Sequence, residues 1–464
     1  ADIQISGKIV DQEGEPLPGV TIAIPGTTIG TASVIDGNYS LTVPEGSTLV
    51  FSFIGFQSQR IEVGQQTIIN ITLEEEMGSL DEVVVTGFGT QKKENLTGAV
   101  SNVSKEVLEN RPITNIGQGL QGQISNLNIT QNTGTPGGGA TFNVRGFTSI
   151  NGGSPLILVN NVPMDVNLIN PNDIESISVL KDAASAAIYG ARAAYGVILI
   201  TTKSGSKNDK PAISLSFNTA VNTPVVKFET MDAMERMNYM NTANIARNGV
   251  PYYQFTEVYQ DKIIAHYNDP SQPTAFPDPQ NPNVWLMSGN TNWAEELMRD
   301  SYPMSQYTAS ITGGDDRFDY YTSLNYLYQE GINRQFDEKY KRYNFMTNLN
   351  YKITDWAKIG TKISMNNSNH IYPPNNSTNH FPEGNSPFQW HQWANWPVYF
   401  PDGNYASGGS VPNTVQFYNE AGHRKREIQD TWITGSLQLT PIKNTSINFE
   451  YTSNIKNTEE EEYC

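Results

Sequence analysis

The sequence is short of the residues on which metal sites and disulfide frameworks depend. Its 464 residues include one cysteine, Cys464, and five histidines that lack the spacing of a metal-binding helix. A single cysteine excludes a disulfide framework and a multi-cysteine zinc site. We therefore expect no metal and no cofactor.

Basic residues and long apolar runs are also scarce. The chain has 30 lysines and arginines against 47 aspartates and glutamates, a net charge of −17. This charge repels phosphate backbones, so nucleic acid is not an expected partner. The clearest apolar runs, 155–159 and 196–200, are far shorter than the roughly 20 residues of a transmembrane helix. Membrane β-strands remain possible, because apolar and polar residues alternate along them and no long apolar run results.

Residues 1–75 are predicted to form a small β-sandwich, because short alternating segments recur about every ten residues between turns such as Asp36-Gly37. The chain begins at Ala1 without an apolar leader, as expected for a mature exported protein. Residues 76–94 are predicted to be a linker. Its β-prone run, 81–88, is expected either to pair with the edge of a partner's sheet or to be a buried strand of the next domain.

Residues 95–205 have a mixed α/β pattern, including a predicted helix over 185–196 that leads into a strand. The glycine-rich stretch 133–146 lacks the lysine of a phosphate-binding loop. We interpret these glycines as turns.

Residues 206–464 change to amphipathic strands with one apolar, aromatic face and one polar face. Short turns alternate with long connections, as in outer-membrane barrels, so we favour a membrane β-barrel over a soluble sandwich. The acidic run 459–462 is expected to be loop sequence. The predicted strands are 213–217, 307–311, 318–328, 343–353, 357–365, 433–439 and 447–451.

Several motifs resemble those of SusC/RagA-like TonB-dependent outer-membrane transporters, which are typical of Bacteroidota. The run Asp81, Glu82, Val83, Val84, Val85, Thr86, Gly87 and Phe88 resembles the TonB box of this family. Other segments resemble its plug motifs. The plug-motif residues are Arg145, Gly146, Asn170, Pro171, Asp173, Glu175, Lys181, Asp182, Tyr189, Gly190 and Arg192.

The resemblance implies a mainly β fold: a carboxypeptidase-regulatory-like sandwich, an α/β plug domain over 95–205, and an antiparallel barrel. The family implies 22 strands and we count about seven, so we expect the chain to be the N-terminal part of a longer polypeptide. One departure is Asn160-Asn161, where the family usually has Asp-Gly. Asparagine also tolerates positive φ, so we expect the turn to be kept.

The resemblance also implies a function, namely import of an oligomeric nutrient across the outer membrane, driven by TonB pulling on the plug. The expected partners are TonB, a SusD-like surface lipoprotein as lid, outer-membrane lipid, and an oligosaccharide as substrate. A peptide substrate and a secretion or scaffold role remain alternatives. The N-terminal domain is expected in the periplasm.

An aromatic cluster lies in the second long connection. Trp390, Trp393, Trp396 and Tyr399 could stack on a substrate, although a loop core or a membrane-interface girdle would use the same residues. No nucleophile motif, zinc-protease motif or paired catalytic Cys and His is present. We therefore predict a protein that is not an enzyme.

Overall fold

A computed structural model describes most of the chain, which divides into two compact units, Ala1–Ala99 and Val100–Cys464. Each unit is considered separately below. The residues outside the description are 1, 13, 25–26, 28, 45, 54–55, 57, 65, 75–82, 87–88, 93–99, 110, 132, 145, 147–152, 207–209, 226–228, 253–254, 374–392, 408–412, 421, 443–444 and 464.

The first unit contains the predicted sandwich. Its sheets have the strand orders β4-β1-β7 and β3-β2-β5-β6, and their facing residues form one core with Ile9, Leu49 and Phe51 fully buried. Strand β3 was missed because its short sequence, Gly-Thr-Ala, carries no alternation. The strands are β1 (Asp2–Val10), β2 (Thr21–Ala23), β3 (Gly30–Ala32), β4 (Asn38–Pro44), β5 (Thr48–Ser52), β6 (Gln59–Glu62) and β7 (Ile71–Thr72).

The predicted β-prone run forms a strand in a separate two-stranded sheet. Strands β8 (Val83–Thr86) and β9 (Gly89–Lys92) pair antiparallel, with Val83 opposite Lys92. Strand β8 is therefore not part of the five-stranded sheet that follows. Asp81, Glu82, Gly87 and Phe88 of the predicted TonB box lie outside the described residues.

The second unit begins with a mixed sheet of order β10-β15-β16-β13-β14, over a core that includes Leu108, Ile116 and Ile177. We call residues 100–206 the plug. A hairpin, β11–β12, packs on the same core. The elements are β10 (Val100–Ser104), α1 (Ile116–Leu120), β11 (Leu127–Thr130), β12 (Thr141–Val144), β13 (Leu156–Val159), β14 (Val162–Pro163), β15 (Ile174–Leu180), α2 (Ala183–Ala186) and β16 (Val197–Thr202).

Two local expectations in the plug have different outcomes. Asn160 and Asn161 have φ of 48° and 67° between β13 and β14, so asparagine does keep the turn. The predicted helix over 185–196 is wrong. Helix α2 ends at Ala186, and the 3₁₀ turns that follow are interrupted at Gly190, where φ is 64° and ψ is −151°. Only glycine adopts that conformation readily, so a continuous helix cannot form.

The seven predicted amphipathic strands are all present, and they form one antiparallel sheet of order β17-β20-β21-β22-β23-β24-β25. Tight turns follow β20, β22 and β24, whereas long connections follow β17 and β23. The elements are β17 (Ala212–Asn222), α3 (Ala233–Asn248), α4 (Glu257–Asn268), β18 (Ala275–Pro277), β19 (Trp285–Met287), α5 (Trp293–Leu297), β20 (Tyr302–Gly314), β21 (Phe318–Glu330), β22 (Lys339–Thr354), β23 (Ala357–Tyr372), α6 (Thr414–Glu420), β24 (His423–Ile442) and β25 (Thr445–Tyr463).

The sheet has two chemically different faces. On the outward face Leu215, Phe217 and Leu324 are 62 %, 69 % and 58 % exposed, although each is apolar. On the inward face, which contacts the plug, polar side chains such as Arg342 and Asn344 are buried. A barrel wall between lipid and a filled interior has this inverted distribution. The sheet is thus of the partial-barrel type that the alternation predicts.

Two rows of aromatic side chains cross the outward face. Tyr307, Tyr326 and Tyr343 are register neighbours near the end that carries the long connections. Phe318 and Tyr351 are register neighbours near the tight turns. The rows are eight residues apart on β22, which corresponds to roughly 27 Å along the strand.

The acidic run 459–462 is strand and not loop, so that expectation is wrong. In β25 these residues lie opposite the basic start of β24: Arg424 pairs with Glu462 in register, Lys425 with Glu461, and Arg426 with Glu460. The Arg424 guanidinium lies 2.5 Å from the Glu460 carboxylate. Cross-strand attraction between opposite charges therefore extends the ladder beyond its apolar part.

The long connections fold into a layer of their own. Helix α3 begins with a capping box of Asp232 and Glu235 and is capped at its end by Gly249, where φ is 74°. Helix α3 packs against α4 through Met237 and Ile263. Within the described part of the chain, no helix combines the length and apolar character needed to cross a bilayer.

Candidate functional site where the plug meets the sheet

The segment Asn170–Asp173 is the centre of the contact between plug and sheet. Asn170 caps a 3₁₀ turn by accepting a hydrogen bond from the Asn172 N–H at 3.2 Å, and Pro171 holds the first position of the turn. The turn projects three polar side chains toward the inward face. The predicted plug-motif residues Asn170, Pro171 and Asp173 are therefore all buried at one interface.

The inward face supplies matching partners to that segment. Tyr321 Oη donates to Asp173 Oδ1 at 3.0 Å, Gln306 Nε2 donates to Asn170 Oδ1 at 3.4 Å, and Asn172 Nδ2 donates to Thr308 Oγ1 at 3.2 Å. Each partner comes from β20 or β21. Because these groups are away from bulk solvent, separating them without replacement costs about 1–3 kcal/mol for each group left unsatisfied.

Asp173 is a completely buried carboxyl group in this contact. Burial raises its pKa above the ordinary value, and this effect outweighs the hydrogen bonds from Ser323, Tyr321 and Asn170 that favour the anion. Its backbone also takes part, because the Asp173 carbonyl accepts from the Lys203 N–H at 2.8 Å. The segment is therefore tied both to the sheet and to the end of β16.

A buried arginine makes the second contact. Arg342 on β22 is 1 % exposed; its guanidinium donates to the carbonyls of Asn167 at 2.6 Å and Thr114 at 3.1 Å, both in the plug. The neighbouring Asn344 donates to the Leu168 carbonyl at 2.6 Å. A planar guanidinium reaches two acceptors at fixed angles, so Arg342 joins two separate segments of the plug to the sheet: the loop at Thr114 and the 3₁₀ turn at Asn167.

Glycine permits the third contact. Gly137 has φ of 69°, and an added Cβ would collide with the ring of Tyr340 on β22. Its N–H donates to Gln329 Oε1 at 2.9 Å. The stretch that could be mistaken for a phosphate loop thus lets the plug backbone lie directly against the sheet.

Other plug-motif residues hold the plug together. Lys105 lies 3.0 Å from the Glu175 carboxylate, and Lys181 donates to the hydroxyl groups of Ser101 and Ser125 at 2.6 and 3.0 Å. Burial lowers the pKa of Lys181.

The remaining motif residues have varied settings. Asp182 accepts from the Ser185 N–H at 2.6 Å, and Tyr189 is half-buried, with its pKa raised by burial. Gly146 and Gly190 have positive φ, while Arg192 is exposed. Arg145 lies outside the described residues. The motif set is therefore divided: Asn170 and Asp173 seat the plug on the sheet, whereas Glu175, Lys181 and Asp182 form contacts within the plug.

The predicted aromatic cluster belongs mainly to the interior of the connection layer. Trp396 is 8 % exposed, and Trp393 has the Arg236 guanidinium 3.8 Å from its ring centre. Tyr399 is 48 % exposed and stacks on Tyr405 with ring centres 5.0 Å apart. Trp390 lies outside the described residues. Tyr399 is therefore the described member best placed to meet a ligand.

A polar cavity of 460 Å³ lies above the plug, at the side of the long connections. One wall is the loop around Gly137 and the other is the upper end of β20 and β21. Its polar lining consists mainly of neutral amides and hydroxyls, which are Thr114, Gln118, Gln131, Thr133, Thr135, Asn222, Tyr302 and Gln329, together with Glu330. Such groups suit a ligand rich in hydroxyls or amides.

No metal cluster accompanies these features. Across the residues that the structure describes, no group of three or more His, Cys, Asp or Glu side chains gathers into a possible metal site. The contacts described above hold the plug against the sheet by hydrogen bonds that can be exchanged for hydrogen bonds to water.

The partners on the inward face were not singled out from the sequence. Arg342, Asn344 and Asn348 alternate along β22, and Tyr321 precedes them on β21. Arg342 and Asn344 are two residues apart and Asn348 is four residues further on, so all three were visible as part of the polar face of an amphipathic strand. The alternation does not indicate which carbonyl or carboxylate each side chain contacts, because those acceptors are more than 100 residues distant in sequence.

Two protein families match the chain. Residues 92–197 match the TonB-dependent Receptor Plug Domain family, and residues 5–85 match the CarboxypepD_reg-like domain family. The first match covers most of the plug defined above. The second covers the N-terminal sandwich.

Curated relatives match over most of the chain. A TonB-dependent receptor of Formosa agariphila is 35 % identical over 369 residues, which are 78 % of this chain and 34 % of that protein. The TonB-dependent receptor SusC of Bacteroides thetaiotaomicron is 32 % identical over 358 residues, which are 75 % of this chain and 32 % of SusC. The chain thus spans about a third of the length of the curated relatives it matches.

Solved structures share the fold. The RagAB peptide transporter matches with a TM-score of 0.61 and 25 % identity, over 78 % of this chain and 41 % of that one. The fold and the matches together confirm the predicted relationship to the SusC-like TonB-dependent receptors. Over the part of the family that it spans, this chain is a relative of the SusC-like receptors, which are not enzymes.

The raised pKa of Asp173 predicts a pH-dependent stability. The folded chain binds this proton more readily than the unfolded chain, so the contribution is full below the unfolded pKa of about 3.9 and is lost as pH rises through the folded pKa. Asp173→Asn cannot ionise. We expect its thermal unfolding midpoint, relative to the unmodified protein, to rise as the pH increases above about 4. A difference that is the same at every pH would contradict this account.

The position of Arg342 predicts loosening of the plug when its side chain is removed. Arg342→Ala leaves buried carbonyls of Asn167 and Thr114 without their donor, at a cost of about 2–4 kcal/mol. Hydrogen exchange should accelerate in peptides that contain these two residues. Arg426→Ala, at an exposed arginine of β24, serves as the control. Unchanged exchange in Arg342→Ala would show that the contact does not hold the plug.

Proposed function

We propose that this chain carries the plug, the TonB box and the first strands of an importer that takes an oligomeric nutrient across the outer membrane. The observation that carries the proposal is a folded plug hydrogen-bonded to the inward face of a sheet whose outward face is apolar. Such a plug closes the lumen of a pore. The protein must then have a means of moving it.

The outward face supports placement in a membrane. Its two aromatic rows are roughly 27 Å apart along β22, and a strand tilted by about 40° would separate them by roughly 21 Å along the membrane normal. This is close to the apolar height of outer-membrane barrels, about 25 Å. The long connections then lie outside the cell and the N-terminal sandwich in the periplasm.

Movement of the plug is proposed to come from TonB. Strand β8 lies in a two-stranded sheet that is separate from the plug sheet, within the segment 81–88 that resembles a TonB box. An added strand from a partner gains affinity from main-chain hydrogen bonds and therefore gives a grip that can bear load. Force applied at 81–88 enters the plug through the residues that precede β10.

The substrate is proposed to be an oligosaccharide. The lining of the cavity above the plug is dominated by neutral hydroxyl and amide groups, and Glu330 in its wall is already paired with Arg299 at 2.6 Å. Uncharged donors and acceptors suit sugar hydroxyls, whereas peptide termini call for free charges. Tyr399, exposed in the connection layer, adds an aromatic face of the kind that stacks on sugar rings.

A peptide is the second candidate, and RagAB, a peptide transporter with the same fold, favours it. A second cavity, of 720 Å³, is lined by charged side chains, including Glu295, Arg299, Asp300 and Arg334. Arg299 pairs with Glu330, and Arg334 lies 3.9 Å from Asp300, so a peptide would have to exchange these pairs for its own charges. A SusD-like surface lipoprotein is proposed as the lid over the long connections, because relatives of this chain include SusC. A secretion or scaffold role would need the same barrel without pulling by TonB.

A proline in the TonB box tests the proposal. Val84→Pro removes a main-chain N–H from β8 and with it the regular pairing of the strand, whereas Val84→Thr keeps the N–H and the strand preference. We expect Val84→Pro, like deletion of 82–88, to abolish uptake and Val84→Thr to retain it. The measurement is uptake of labelled oligosaccharides and peptides by cells.

The same cells provide the control for assembly, because both variants should reach the outer membrane at the unmodified level. Normal uptake by the proline variant would refute pulling at this strand. Uptake of peptides and not of oligosaccharides would refute the substrate assignment while leaving the mechanism in place.

A further inference from the structure

The outward face of the sheet contains a groove of 410 Å³ that the alternating pattern did not predict. Its floor is Ala309, which stands in register between Leu215 and Leu324. Phe345 and Met365 continue the same row at its far side. A small residue in a row of large ones leaves a depression about one side chain deep. The depression runs across the sheet between exposed apolar walls.

A row of tyrosines borders the groove on the side of the long connections. Tyr307, Tyr326 and Tyr343 lie two residues, or roughly 7 Å, above the Ala309 row along their strands. The Tyr326 and Tyr343 rings have centres 4.9 Å apart, and the Tyr307 and Tyr326 rings stack at 6.2 Å. Tyrosine rings of this kind mark the level of lipid headgroups.

One row higher, a lysine provides positive charge. Lys341 is exposed, lies opposite Tyr328, and has no ion-pair partner among the described residues. The carboxylates nearby are engaged, since Glu330 pairs with Arg299 at 2.6 Å and Glu427 lies 3.6 Å from Lys425. Lys339, on the same strand, contacts Asp337. Lys341 is therefore the cation available to an anion at this level.

The order of a cation, a tyrosine row and an apolar groove matches the order of phosphate, glycerol or sugar, and acyl chain in a lipid. We propose that this face binds one phosphorylated glycolipid of the outer leaflet, with its phosphate at Lys341 and an acyl chain in the groove over Ala309. The groove would be filled by the tail, and Lys341 would be neutralised by the headgroup. The inference rests on the membrane placement proposed above and is independent of the transported nutrient.

Binding of monophosphoryl lipid A and of its dephosphorylated form to the intact receptor, purified from outer membranes and stripped of lipid, tests the proposal. Titration followed by native mass spectrometry measures both affinities. Ala309→Trp fills the groove, and Lys341→Gln removes the charge. We expect Lys341→Gln to weaken binding of the phosphorylated form by about fivefold, the effect of one lysine at a charged lipid surface. Ala309→Trp should weaken binding of both forms, because it fills the space of the acyl chain. The unmodified protein should prefer the phosphorylated form, and Lys341→Gln should not.

Two matched variants separate a site from ordinary lipid contact. Ile455→Trp adds the same ring at the same depth, because Ile455 lies in the Ala309 row four strands away from β21. Lys425→Gln removes a lysine that already has acidic partners. Both should bind like the unmodified protein, and all variants should keep its unfolding midpoint. Equal weakening by Ile455→Trp, or no preference for phosphate, would overturn the inference.

The outcome also distinguishes this inference from the proposed function. A receptor that fractionates with the outer membrane and imports its nutrient but shows no selective lipid binding would refute only the lipid site. A chain that does not fractionate with the outer membrane would refute both.

Discussion

The buried polar inward face of the seven-stranded sheet is the constraint on which the rest of the molecule depends. Arg342, Asn344 and Asn348 cannot be left in a dry interior without partners, because each unsatisfied group costs about 1–3 kcal/mol. The plug supplies carbonyls and the Thr202 hydroxyl group to them, and it supplies the Asp173 carboxyl group to Tyr321. The same side chains would form equally good hydrogen bonds with water once the plug moved. The contact is therefore specific without being irreversible.

This arrangement explains why the plug meets the sheet through turns and loops and not through α-helices or β-strands. The acceptors for Arg342 and Asn344 are main-chain carbonyls of residues 114, 167 and 168. Residue 114 lies in a loop, and residues 167 and 168 lie in the short 3₁₀ turn Val166–Leu168. Regular elements use their carbonyls internally, so only turns and loops can offer them. Gly137 has a similar effect, because the absence of a side chain lets the backbone itself contact Tyr340.

The periodicity of apolar and polar residues predicted much of the fold. The alternation along β22 and its neighbours predicted seven strands and their outward faces, and the motif at 170–173 indicated where the plug would be distinctive. The strand ends were underestimated because alternation disappears where Arg424 and Glu460 replace apolar residues, although their attraction prolongs the ladder. Gly190 interrupted a segment whose composition favours helix.

Contacts between residues distant in sequence could not be predicted, for a different reason. Nothing local in Asp173 indicates that Tyr321 will be its partner, since 148 residues separate them. Likewise, Trp396 could not be recognised as a core residue before Trp393, Met287 and Val415 were seen around it. Such identities follow from packing and not from pattern.

A reversible cross-link between plug and sheet tests the central claim, that the plug is seated by these contacts and must leave them for transport. Asn172 and Thr308 lie with side-chain atoms 3.2 Å apart, so Asn172→Cys combined with Thr308→Cys, in a background without Cys464, can join the two parts. Uptake of the nutrient would be measured in cells before and after reduction. The account predicts that oxidised cells import nothing and that a reductant restores import. Normal import by fully cross-linked protein would contradict it.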